Sequence, residues 1–173
     1  MKVLVAAASR YGATQEIAEA IGHVLTDHGI DVKVARAEGF DDVAHYDAFV
    51  LGSAVYMGNW LAPARRFVDE YGEELASRPT WLFSSGPLGS PPRPHEDEAV
   101  HLAPIWAKTK AVEHRLFGGK LDKSLLSFGE RTVMHAVRAP EGDFRDWDDI
   151  DAWAASIAET LVTSDRASAK RAA

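Results

Sequence analysis

The sequence predicts an α/β fold, a doubly wound parallel sheet with helices on both faces, from three observations. Short apolar runs alternate with amphipathic segments along the chain, the pattern of successive βαβ units. The first apolar run, Val3-Leu4-Val5-Ala6-Ala7, passes through Ser9-Arg10-Tyr11-Gly12-Ala13-Thr14 into a helical pattern. Such a junction is where an α/β protein holds a phosphate, because the first helical turn offers unpaired N–H groups and the positive end of the dipole. Finally, 173 residues, 46% hydrophobic and 26% charged, suit one globular domain with a sizeable core. No linker or internal repeat divides it, so residues 1–163 read as one domain and 164–173, small and polar, as a flexible tail that frays.

The first helix spans about Thr14 to Asp27, since Ile17, Ala20, Ile21, Val24 and Leu25 recur at helical spacing and Gly29 offers a stop. Asp31 to Ala35 alternates polar and apolar residues, as an edge strand with one wet face does. Ala48 to Gly52 is continuously apolar and reads as a central strand. Leu61, Ala64, Phe67, Val68 and Tyr71 return to helical period, with Pro63 in the first turn, where its missing N–H costs nothing. Trp81-Leu82-Phe83 is the fourth strand and Val112 to Phe117 the fifth. Between them Ser84 to Thr109 carries Pro87, Pro91, Pro92, Pro94 and Pro104, the composition of a shaped surface loop. Lys123 to Val137 reads as helical. The last helix presents Ile150, Trp153, Ala154, Ile157 and Leu161 on one face, starting near Asp146 or Asp148.

Right-handed crossovers place the first, third and fourth strands in the centre and the second outside the first. Ligands of such sheets bind beyond the carboxyl ends of the strands, where the strand order reverses. Three loops then converge: Ser9 to Thr14, Ser53-Ala54-Val55-Tyr56-Met57-Gly58, and Ser84-Ser85-Gly86-Pro87-Leu88. The first loop is not a Walker A loop, lacking Gly-Lys-Ser/Thr, nor a dinucleotide fingerprint, since Gly12 lacks paired glycines. With Thr14 simply capping the helix, it needs no ligand. Joined to the other two, it suits a planar heterocycle on a phosphorylated side chain.

Composition excludes several chemistries. With no cysteine there are no disulfides, thiolate metal sites, iron–sulfur clusters or cysteine nucleophiles, and redox chemistry needs a bound cofactor. A net charge of -7 argues against nonspecific binding to nucleic acid or to an anionic membrane face. Met1-Lys2 and six apolar residues are too short for a signal-peptide core, and no run reaches membrane-spanning length, so the default location is cytoplasmic. His95 and His101 flank Glu96, Asp97 and Glu98 without zincin spacing, and an exposed acidic loop explains them without a metal. Neither Ser53 nor Ser85 lies in Gly-x-Ser-x-Gly, the setting of a hydrolase nucleophile.

The Ser9-x-x-Gly12-x-Thr14 loop resembles the phosphate-binding loop of flavodoxin-like proteins, which bind FMN, and the likeness extends over nearly the whole chain. Within that superfamily, residues Ser9 to Ala18, Phe117-Gly118-Gly119-Lys120-Leu121 and Gly142-Asp143-Phe144-Arg145-Asp146-Trp147 look like the branch containing menaquinone-dependent protoporphyrinogen IX dehydrogenase. The resemblance implies a three-layer fold whose five-stranded parallel sheet has the order 2-1-3-4-5. It also implies FMN held by its phosphate at Ser9, Arg10, Tyr11, Gly12, Ala13 and Thr14. Ser53, Ala54, Val55, Tyr56, Met57 and Gly58, with Ser84, Ser85, Gly86, Pro87 and Leu88, would border the isoalloxazine and ribityl chain. Gly58 is the position best able to permit the family's backbone flip beside flavin N5.

Tyr11 stands where electron-carrying flavodoxins commonly have a threonine, and Arg10 is added. Arg10 either neutralises phosphate or faces solvent. Tyr56 and Trp60 are candidates to stack on the flavin, Trp60 alternatively packing at the following helix. The dehydrogenase branch carries a long basic insert near the fifth strand, implicated in activity and membrane association, whereas roughly Gly89 to Lys110 here holds the acidic His95-Glu96-Asp97-Glu98.

The expected function is electron transfer through noncovalent FMN, either to a protein partner or as an oxidoreductase acting on a quinone or porphyrinogen. The acidic balance favours basic partners and lowers flavin potentials. The alternative is a flavin-free interaction module using the same loops.

Overall fold

A computed structural model describes residues 1–86, 100–125 and 141–172. Pro87 and Leu88, the acidic residues 95–98 and the expected helical stretch 126–137 lie outside those residues. The elements are β1 (Lys2–Ala8), α1 (Ala13–Asp27), β2 (Asp31–Arg36), β3 (Ala48–Tyr56), β4 (Asn59–Trp60), α2 (Ala62–Ser77), β5 (Thr80–Ser85), α3 (Ala103–Thr109), β6 (Glu113–Phe117), β7 (Lys120–Leu121), a 3-10 turn (Lys123–Leu125), β8 (Gly142–Asp143) and α4 (Trp147–Ala172).

Five parallel strands run in the order β2-β1-β3-β5-β6. With the short β4 set aside, this is the expected 2-1-3-4-5 arrangement. β1 is the most apolar strand because both its faces are covered. Val3, Val5 and Ala7 pack under α1 and α4, while Leu4, Ala6 and Ala8 join the core on the other face with buried residues of α2 and α3. β2, at the edge, keeps its alternation of exposed and half-buried residues.

α4 lays Ile150, Trp153, Ala154, Ile157, Ala158 and Leu161 into the first core. There the rings of Phe83, Phe117 and Trp153 meet at centroid distances of 5.5 to 6.3 Å, within the range where tilted and edge-on rings attract. Asp146 starts this helix, its Oδ1 accepting the Asp149 N–H at 3.1 Å. The helix continues through Ala172, across the segment expected to fray. Among the described residues no helix is long and apolar enough to cross a membrane.

Three local expectations change. Helix α1 begins at Ala13 with Gly12 as its cap residue, so Thr14 is not the cap but lies buried in the first turn. β3 does not end at Gly52. It runs to Tyr56 and folds back on β4 through a two-residue turn, Val55 opposite Trp60 and Tyr56 opposite Asn59. Ser53, Ala54, Val55 and Tyr56 therefore belong to strand rather than loop, as do Ser84 and Ser85 in β5, and residues 103–109 of the expected proline-rich loop are helical.

Candidate functional site

The carboxyl ends of β1, β3 and β5 lie side by side, with Ala8 opposite Ser53 and Ser53 opposite Ser84. Ser9 to Thr14, Ser53 to Gly58 and Ser84 to Gly86 are thereby brought to one end of the sheet, at the switch point between β1 and β3.

After β1 the chain turns through Ser9 to Gly12 and enters α1. The Gly12 N–H donates to Ser9 Oγ at 3.0 Å, leaving the Ser9 hydroxyl hydrogen available to donate elsewhere. Gly12 has φ +91°, the left-handed region glycine tolerates, and a Cβ there would meet only Glu16 Oε1, at 3.9 Å. The first intrahelical bond runs from Glu16 N–H to the Gly12 carbonyl at 2.9 Å. Ala13, Thr14 and Gln15 therefore have no partners for their N–H groups inside the helix. A glycine-bent turn with N–H and O–H donors at the positive end of a fifteen-residue helix fits a phosphate dianion.

The second wall is the β3–β4 hairpin. Its turn residues Met57 and Gly58 have φ +50° and +76°, the doubly positive signature of a type I′ turn. Met57 is 85% exposed and Tyr56 and Tyr11 about 40% each. The Arg10 guanidinium lies 5.6 Å from the Tyr11 ring centroid and 5.9 Å from that of Tyr56, within cation–π range, and so bridges cradle and hairpin. Behind the turn, the His101 N–H donates to the Gly58 carbonyl at 2.7 Å, and its imidazole would lie 3.2 Å from a Cβ on Gly58.

Trp60 is only 2% exposed, which settles its role as packing rather than stacking on a ligand. Its indole N–H donates to Ser84 Oγ at 2.7 Å, and Ser84 Oγ lies 2.9 Å from His114 Nε2. Ser53 is equally occupied: its Oγ accepts the Leu61 N–H at 2.9 Å and donates to the Ala54 carbonyl at 2.8 Å. These two serines tie the hairpin to the sheet. Ser85 is buried, and Gly86, at φ +107°, donates its N–H to the Phe117 carbonyl at 3.0 Å.

The sequence reading missed Arg145. Its side chain is 3% exposed and every guanidinium nitrogen is used: Nε and Nη2 donate to the two oxygens of Asp143 at 2.8 and 2.6 Å, while Nη1 donates to Glu16 Oε2 at 2.7 Å and to the Ala13 carbonyl at 3.2 Å. Trp147 lies across it, the guanidinium carbon 4.4 Å from the ring centroid. Hydrogen bonds from Arg145 hold the Asp143 carboxyl below its ordinary value, and those to Asp143 first and Glu16 second hold the guanidinium above its own. A surface hollow of about 520 Å³ opens here, lined by Asp143, Phe144, Arg145, Asp146, Trp147 and Asp148. Its carboxylates make it unfit for an anion, whereas the Gly12 cradle presents donors.

Two of the three segments that carried the dehydrogenase resemblance, Phe117 to Leu121 and Gly142 to Trp147, prove to be partners. Lys120 pairs with Asp143 and Leu121 with Gly142, and the Phe144 N–H donates to the Gly119 carbonyl at 2.9 Å. A Cβ on Gly118 would sit 2.0 Å from the Phe144 carbonyl oxygen, so only glycine allows the two chains this close.

The Flavodoxin domain family matches residues 4–148. Protoporphyrinogen IX dehydrogenase [quinone] of Escherichia coli (strain K12) is 29% identical over 86 residues, 49% of this chain and 48% of the relative, as is that of Escherichia coli O157:H7. The chain thus spans about half the length of the curated relatives it matches. Among solved structures, a flavodoxin from the domain Archaea superposes with TM-score 0.61 at 22% identity, over 93% of this chain and 99% of that one. An oxidised flavodoxin 2 from Bacillus cereus superposes with TM-score 0.59 at 23% identity, over 95% and 99%. Rubredoxin oxygen:oxidoreductase from Desulfovibrio gigas superposes with 0.61 at 13%, over 94% and 36%. These likenesses establish the fold. With the family matching most of its length, the chain belongs to the flavodoxin domain family, whose members bind FMN and transfer electrons.

Proposed function

We propose that the chain binds FMN noncovalently, with the phosphate in the Ser9–Thr14 cradle and the ring system bordered by Tyr56, Met57 and Gly58 and by Ser84, Ser85, Gly86, Pro87 and Leu88. The observation that carries this is the cradle: Gly12 at φ +91° on the N-terminus of α1, with the N–H groups of Ala13, Thr14 and Gln15 unused within the helix. Ser9 and Thr14 add hydroxyls at the same turn. Bound FMN supplies reversible one- and two-electron chemistry. The protein supplies donors for the phosphate, an exposed tyrosine and methionine at the ring, and an acidic exterior that favours basic partners. It contributes no general acid or base in this reading.

The protoporphyrinogen IX dehydrogenases matched by half of the chain support a finer reading, in which a small redox substrate such as a quinone or porphyrinogen meets the flavin edge directly, in the cytoplasm. Incubation with FMN followed by desalting should leave flavin absorption on the protein, and Gly12→Glu, which puts a strained carboxylate into the cradle, should abolish it. Colourless wild-type protein after such treatment would defeat the reading. For holoprotein, steady-state turnover of a quinone separates enzyme from carrier: turnover supports the finer reading, and failure with quinones and porphyrinogens alike leaves protein-to-protein electron transfer.

A further inference from the structure

We infer that Arg145 is a positioning residue of the phosphate site, acting through Glu16: it pairs with the Glu16 carboxylate beside the cradle, offsetting its charge, and ties down the first turn of α1. The inference rests on the FMN reading and goes beyond it. Glu16 occupies the first turn of α1, and its Oε1 lies 3.9 Å from where a Gly12 side chain would start. A carboxylate at a helix N-terminus satisfies the same dipole that a phosphate needs, and two anions in one cradle repel. The structure compensates with Arg145, whose Nη1 takes Glu16 Oε2 at 2.7 Å.

The same nitrogen donates to the carbonyl of Ala13, the residue directly after Gly12, so backbone and charge are held by one group. Asp143 grips the other edge of the guanidinium at two points. Trp147 lies across it, and the Arg145 side chain is left 3% exposed, so the fork is kept from water while it pairs with Glu16 and Asp143. A purely structural role, docking the start of α4 onto α1, would serve either flavin with or without its phosphate. A role in charge placement distinguishes them.

The test compares dissociation constants for FMN and for riboflavin, which lacks the phosphate, in wild type, Arg145→Met and the double variant Arg145→Met/Glu16→Gln. Arg145→Met should weaken FMN about tenfold or more and riboflavin less than about twofold, because an uncompensated carboxylate opposes only the phosphate. Glu16→Gln in that background should recover most of the loss. Equal weakening of both flavins, unchanged FMN affinity or absence of recovery would each overturn the inference. Should Arg145→Met not fold, Glu16→Gln alone decides: it should tighten FMN relative to riboflavin, and an unchanged ratio refutes the role. Wild-type protein that binds neither flavin would instead sink the cofactor reading itself, and the positioning role with it.

Discussion

The loop after β1 and the hairpin after β3 face each other across the end of the sheet, yet they are built from different materials. The cradle is backbone: a left-handed Gly12, a serine hydroxyl pinned to an N–H, and a helix end held by a guanidinium that water barely reaches. The hairpin is side chain: an exposed tyrosine and an almost fully exposed methionine on a two-residue turn, carried by a buried tryptophan. The contrast fits what each would meet. A phosphate is the same in every encounter and rewards rigid, preset donors, whereas the neighbourhood of a redox partner varies and is served by adaptable surface groups.

If the hairpin depends on what lies beneath it, Trp60→Ala should have the largest effect, costing about 3–5 kcal/mol by cavity formation while also leaving the Ser84 hydroxyl with His114 alone as partner. Chemical denaturation would measure this, and a loss below about 1 kcal/mol would mean that β4 is not the anchor. On the cradle side, Gly118→Ala should cost about 1–3 kcal/mol, because its Cβ must displace the Phe144 carbonyl from 2.0 Å. Flavin affinity should fall in step through Arg145, and stability loss with intact affinity would separate ribbon from cradle.

Met57 sharpens the contrast in the opposite direction. At φ +50°, Met57→Asn should raise stability by about 0.5–1 kcal/mol, since asparagine tolerates the left-handed region better. An unchanged or lower melting temperature would show that the methionine is at ease there. The smallest effect is electrostatic. Because Arg145 depresses the Asp143 pKa in the folded state, its stabilisation is complete above the unfolded value of about 4 and disappears as pH falls through the lower folded value. Asp143→Asn should therefore narrow its gap from wild type in acid, with a neutral-pH difference within the ~0–1 kcal/mol of solvent-touched ion pairs. A gap that widens on acidification would contradict that assignment.

The fold was legible because alternating apolar runs and helical stripes are local signals, and each major strand and helix carries one. Val3 to Ala7, Ala48 to Gly52 and Trp81 to Phe83 announced a buried central sheet. The end of β3 was not legible. Ser53 looks like a loop residue, but its hydroxyl donates to the neighbouring Ala54 carbonyl and accepts the Leu61 N–H, a contact that exists only once the hairpin closes. β7 and β8 are two residues each, too short for any period to show. Arg145 was invisible as a functional group because Ala13 and Glu16 lie at the far end of the sequence. Only the resemblance singled out its segment, and the chemistry emerged when the ion pairs could be seen.

The β7–β8 pairing has one more consequence, for how this molecule can change over time. Leu121 and Gly142 are opposite each other, so the chain of residues 122–141 departs and returns at a single doorway. A change of length between these paired ends need not move β6 or α4, since closing a longer connection costs little more once its ends are pinned together. The clasp of Gly118 against Phe144 thus doubles as a splice point, a place where the domain could acquire a new recognition segment while its sheet and its cradle stay as they are.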